Sequence, residues 1–200
     1  MLAAAATLGG CALGPRPTLT DEPRLDDSAI EAVLDRLDEA DAATFTATYT
    51  IAPTLNGSAP ADVIVRHSPA RSRITFATDG AVTVEYSNTD GEQRTCADGL
   101  AECVAGVDDS RVSNLGITNS FWGPSSAQRL SADAGRNVAD ATASTETIAG
   151  QTATCATVPL AGASVAYCAL DTGPLARYTG ADVTIELVSY DASIDEVAVG

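Results

Sequence analysis

Lysine is absent from this chain of 200 residues: its 11 basic residues are all arginine, set against 27 acidic ones for a net charge of −16. Only Arg71 and Arg73 lie close together. Neutralising phosphates needs clustered cations, so nucleic-acid binding is excluded as a function class, and adhesion to anionic headgroups through a basic patch goes with it. Aromatic residues make up 4% of the chain, with one tryptophan, one methionine and one histidine. A hydrolase triad would have to use that histidine, His67, which lies beside Pro69 at a strand end with no Gly-x-Ser-x-Gly elbow to accompany it. His67 is expected at the surface, and no catalytic residue is assigned. There is no CxxC spacing, no calcium-loop pattern of oxygens and no glycine-rich phosphate loop, so neither a metal nor a cofactor is expected.

Hydrophobic runs long enough to span a bilayer are missing as well. The opening run is short and ends in small residues directly before a cysteine. Leu8-Gly9-Gly10-Cys11 matches a lipobox, the motif at which a bacterial prolipoprotein is lipidated on the cysteine sulfur and cleaved just before it. Residues 1–10 therefore read as the end of a signal peptide. No basic n-region precedes them, so a start upstream of Met1 is expected. Lipid on Cys11 implies anchoring to the cell membrane on its extracytoplasmic face. Residues 11–27 hold three prolines and no apolar periodicity, as a tether should. Residues 28–200 are expected to form one globular domain, of a size that buries a core and behaves as a monomer.

Setting Cys11 aside from the five cysteines leaves Cys96, Cys103, Cys155 and Cys168, an even number suited to two disulfides outside the cytoplasm. The sequence permits three pairings. Closeness in sequence favours Cys96 with Cys103 and Cys155 with Cys168.

The spacing predicts a helix from Ser28 to about Ala40, with Ser28 and Glu31 as a capping box and Ile30, Val33, Leu34 and Leu37 on one face. The period then changes to two, and strands are predicted at Thr44–Ile51, Ala61–His67, Arg71–Ala77 and Ala81–Ser87. A three-residue Thr78-Asp79-Gly80 loop would set Phe76 opposite Val82 and Ile74 opposite Val84. Asp90-Gly91 starts the next hairpin, which leads to Cys96. Phe121-Trp122-Gly123-Pro124 introduces a short helix around Ser126–Ala134, followed by strands at Ser144–Ile148, Thr152–Leu160 and Ala163–Ala169. Counting outward from the Ala161-Gly162 turn sets Val158 opposite Val165 and Cys155 opposite Cys168, a separation a disulfide requires. Strands at Ala181–Tyr190 and Asp195–Val199 close the chain. The fold class is α+β, an antiparallel sheet with short helices.

In this order the lipobox, the helix running into Phe45-Thr46-Ala47-Thr48-Tyr49, the Cys96/Cys103 pair, the Ile148-to-Cys155 hairpin with Cys168 and the closing strand resemble the LolA-like lipoproteins of actinobacteria, the LppX/LprG group. The resemblance covers nearly the whole mature chain. It implies a curved half-barrel with helices across its mouth and a lipid-binding cavity between. The apolar residues that would line such a cavity are Ile30, Leu34, Leu37, Phe45, Tyr49, Ile74, Phe76, Val82, Val84 and Val165, with Phe121 and Trp122 as a lip or a docking point. Two functions follow as expectations: a non-enzymatic carrier of a lipid or glycolipid, or a module that binds another envelope protein and has no cavity.

Overall fold

The computed structural model describes residues 27–55, 57–97 and 100–194. Cys11, its tether and the predicted strand at 195–199 lie outside the described residues. In chain order the elements are α1 (Ser28–Glu39), β1 (Phe45–Pro53), β2 (Ala61–Ser68), β3 (Arg71–Thr78), β4 (Ala81–Thr89), β5 (Glu92–Ala97), β6 (Glu102–Ala105), α2 (Pro124–Ala134), β7 (Thr142–Ile148), β8 (Gln151–Leu160), β9 (Ala163–Leu170), β10 (Leu175–Thr179) and β11 (Val183–Asp191). All eleven strands form one sheet in the order β6-β5-β4-β3-β2-β1-β11-β10-β9-β8-β7, so the first and last halves of the chain meet where β1 pairs with β11. Every neighbouring pair is antiparallel. The sheet curls, and α1 packs on β8, β9 and α2 on its inner side. Among the described residues no helix is long and apolar enough to cross a membrane.

Alternation makes the sheet two-faced. In β1 every second residue, Phe45, Ala47, Tyr49 and Ile51, is buried while the threonines between them are half-exposed. The register carries this face across the strands, Tyr49 opposite Val63, Val63 opposite Phe76 and Phe76 opposite Val84. The β8–β9 register is the one predicted, with Val158 opposite Val165 and Cys155 opposite Cys168. Both cysteine pairs are joined, Cys96 to Cys103 and Cys155 to Cys168, each between directly opposed residues 4.0 Å apart at Cα.

Three expectations are corrected. The cap of α1 is Asp27 and not Ser28: the helix begins at Ser28, and of the Asp27 carboxylate oxygens one accepts from the Ala29 amide at 3.0 Å and the other from the Ala141 amide at 2.6 Å. The β3–β4 turn is the two-residue Asp79-Gly80, both residues at positive φ, as the handedness of a tight hairpin requires. Thr83 is then an extra, unpaired residue, a bulge that sets Phe76 opposite Val84 and Ile74 opposite Tyr86. This moves Val82 opposite Ala77, on the face away from Phe76, where it is 37% exposed. Val82 therefore lines no interior.

Candidate functional site

The remaining proposed lining residues share one core. Ile30, Leu37, Phe45, Tyr49, Ile74, Phe76, Val84 and Val165 are all buried, and Leu34 packs against them from the edge. Phe121 and Trp122 form no lip, because both side chains are buried in the same core. The Phe121 ring meets Tyr49 edge-on at 5.1 Å between centroids and Phe76 at 6.3 Å. Trp122 meets Phe45 at 5.5 Å and His67 at 4.3 Å. The pair thus works as a wedge driven from the start of α2 into the hollow of the sheet. The carbonyl of Trp122 also accepts from the Leu175 amide at 2.7 Å, which fixes the wedge to the first residue of β10.

Backbone approach lets the wedge seat this deeply. Ala40, just after α1, is fully buried, and a side chain on Gly123 would lie 2.9 Å from its Cβ. Gly173, at φ +112°, comes closer still: a Cβ there would lie 2.7 Å from the Ala40 nitrogen.

His67 is not at the surface. Its side chain lies on the inner face, 7% exposed, stacked on Phe45, and its Nδ1 is 3.0 Å from the Ala43 carbonyl. A carbonyl only accepts, so Nδ1 carries the proton and Nε2 is left with a lone pair. Burial pushes the imidazole's pKa below its ordinary value, against the smaller opposing effects of the Ala43 bond and Asp41, so the ring is neutral at pH 7. Burial likewise raises the pKa values of the Tyr49, Tyr86 and Tyr167 hydroxyls.

The register builds something the sequence reading missed. Proceeding from Phe45 across the sheet, directly opposed residues are His67, Ser72, Asn88 and Gln93, one on each of β2 to β5. The next row on the same face is Ala47, Val65, Ile74, Tyr86 and Thr95, and all five are buried. Apart from Thr95, whose hydroxyl is held by Gly106 and Asp108, that row is hydrophobic, so the inner face turns polar within one row. This polar row borders a recess of about 170 Å³, closed on its other sides by Asp41, Asn119, Ser120 and Trp122. Alternation within each single strand signalled the row, but only the correct turn lengths align its members.

Four other recesses, of about 190 to 510 Å³, lie at the surface, one between α1 and α2 and the others where helix residues meet loops and strands. Ile74 borders the polar recess, and Leu34 and Leu37 border the groove between α1 and α2. None of these five recesses is bordered by helix and sheet members of the proposed lining together. Glu146 lies near the sulfurs of Cys155 and Cys168, but these are bonded to each other and Glu146 is paired with Arg177 at 2.6 Å.

No family model matches the sequence, and no curated protein matches it significantly. Solved structures do. MucB superposes with a TM-score of 0.55 and 17% identity, over 86% of this chain and 62% of MucB. The chain has the LolA-like half-barrel fold. MucB in its complex with MucA, from Pseudomonas aeruginosa, gives a TM-score of 0.54 and 21% identity over 86% of this chain and 60% of that one. This half-barrel thus spans about three-fifths of MucB's length. LppX of Mycobacterium tuberculosis, from the group the sequence resembles, is also among the structural matches, with a TM-score of 0.40 and 17% identity over 82% of this chain and 98% of LppX.

Proposed function

We propose that this chain is a lipid-anchored, extracytoplasmic binding protein, without catalytic activity, that recognises another protein of the envelope. The observation that carries this reading is the filled interior: Tyr49, Phe76 and Phe121 pack ring against ring where an enclosed acyl chain would have to lie. An apolar ligand gains its affinity by removing its surface from water into a preformed hollow, and a close-packed core offers none. The use of this fold by MucB, whose structure was solved in complex with MucA, is a precedent for binding a protein. The anchor is assigned to Cys11, and the two disulfides suit an oxidising compartment. Carriage of a lipid or glycolipid is the competing use of the fold and requires the Phe121–Trp122 wedge to withdraw.

Native mass spectrometry of the protein purified under non-denaturing conditions, with organic extraction, separates the two. A mass accounted for by polypeptide and anchor alone supports the protein-binding reading. A stoichiometric second lipid overturns it in favour of carriage. The anchor is tested separately with an alkyne-tagged fatty acid, which labels the wild-type chain and leaves Cys11→Ala unlabelled and released from the membrane; label retained in Cys11→Ala overturns that assignment.

A further inference from the structure

We propose that His67, Ser72, Asn88 and Gln93, with Asn119 and Trp122 facing them, form a binding site for a neutral polyhydroxylated solute the size of a single sugar ring. The site lies at the end of the hollow and rests on the reading above in one respect, that the Phe121–Trp122 wedge stays seated.

The first argument is position. Along this row burial falls from His67, 7% exposed, through half-buried Ser72 and Asn88 to exposed Gln93, so polar side chains line the recess from its buried end to its open rim. Four consecutive polar residues on four successive strands thus offer donors and acceptors side by side, with Asn88 Oδ1 already accepting from the Gly91 amide at 3.1 Å.

The second argument is a missing partner. Among the described residues the buried indole Nε1 of Trp122 has no hydrogen-bond partner, on a side chain only 4% exposed that borders this recess. An indole N–H only donates, so whatever meets it must bring an acceptor. His67, ring to ring with the indole at 4.3 Å, keeps Nε2 as an acceptor because Nδ1 is committed to the Ala43 carbonyl. Neighbouring groups therefore ask for opposite things, an acceptor at one and a donor at the other. A hydroxyl supplies both, and adjacent hydroxyls supply both twice.

Charge and size narrow the class. No arginine borders the recess, one carboxylate, Asp41, does, and the chain carries −16 overall, so an anion is disfavoured. A simple cation has no acceptor for the indole. Ile74, Tyr86 and Val107 give the recess an apolar wall of the kind the C–H face of a sugar ring covers. Its volume of about 170 Å³ is below that of sites for drug-sized ligands yet holds more than a single water.

Trp122 is the only tryptophan, so its emission and its single indole N–H resonance report on this site alone. The full chain is titrated with glucose, galactose, mannose and N-acetylglucosamine, with glycerol and sodium phosphate as controls. The expected result is a saturable change in Trp122 emission and a shift of the indole N–H signal with at least one sugar and with neither control. Asn119→Ala and Gln93→Ala are each expected to weaken that binding about tenfold, whereas Ser131→Ala on α2 leaves it unchanged. An indole signal unmoved by every sugar overturns the proposal and leaves a recess that holds only water. A change that does not saturate, or that is equal in the Asn119→Ala/Gln93→Ala chain, overturns it too. The resonance is read on the wild-type protein, so the test stands even where a variant fails to fold.

Discussion

His67 donates its Nδ1 proton to the carbonyl of Ala43 over 3.0 Å while its ring lies 4.3 Å from that of Trp122, so one buried side chain joins the end of the α1 segment, the sheet and the wedge. Its pKa is lowered in the folded state, chiefly by burial. Below its ordinary value of 6.5 the unfolded chain takes up a proton that the folded chain refuses. The contribution of neutral His67 to stability is therefore complete above that value and is lost as pH falls from it towards the lower folded pKa. Urea midpoints measured from about pH 7 down to about pH 5 are expected to fall more steeply for the wild type than for His67→Asn, which keeps a donor for Ala43 but does not titrate. Parallel pH profiles would show that His67 carries no such linkage.

The bulge at Thr83 separates two neighbouring valines. Val84 lies in the core opposite Phe76, and its truncation to alanine is expected to cost about 2 kcal/mol. Val82 lies on the outer face, and the same change there is expected to cost less than about 0.5 kcal/mol. Equal losses in denaturant melts would restore the three-residue loop and place both valines inside.

Asp27 ties the start of α1 to the residue just before β7 through the Ala29 and Ala141 amides. Asp27→Ala is expected to cost about 1 to 2 kcal/mol, and Ser28→Ala close to nothing. Hydrogen exchange at Ala141 gives the sharper test, since its amide loses its acceptor only in the first variant. Protection there that survives Asp27→Ala contradicts the clamp.

The two disulfides close short loops, with sequence separations of 7 and 13. Loop-closure entropy puts their contributions at about 2.5 and about 3 kcal/mol respectively. Cys155→Ala/Cys168→Ala is therefore expected to lower stability at least as much as Cys96→Ala/Cys103→Ala. Peptide mapping without reductant should recover the pairs Cys96–Cys103 and Cys155–Cys168, and a crossed peptide such as Cys96–Cys155 would refute the register of the sheet's ends.

Where a strand's own alternation and a tight turn sufficed, the sequence was legible. The Ala161-Gly162 turn fixed the β8–β9 register and with it the Cys155–Cys168 pair. Two strands escaped. In β10 the buried pair Leu175 and Ala176 breaks the period of two at an irregular register, just after a Gly-Pro that reads as loop. In β6 all four residues are exposed, so no hydrophobic pattern marks it. His67 was misread because its nearness to Pro69 suggested a frayed strand end, whereas the Ala43 carbonyl and Trp122 come to it from segments 24 and 55 residues away. The alignment of the polar row was invisible for a related reason. It depends on three successive hairpin registers, and one of them, β3–β4, turns on a bulge that local composition does not announce.

Among the described residues the sheet ends in two strands with one neighbour each, β6 and β7. Each presents an unfinished ladder of amides and carbonyls, the template on which like molecules polymerise. At one end the rail is only four residues long and stapled back by Cys103, too short to recruit a stranger. At the other, Thr142–Ile148 offers seven residues, mostly exposed and rich in threonine. Any visitor that joins this molecule by extending its weave therefore has one selvedge of useful length, and it is the border to which Asp27 fastens the first turn of α1.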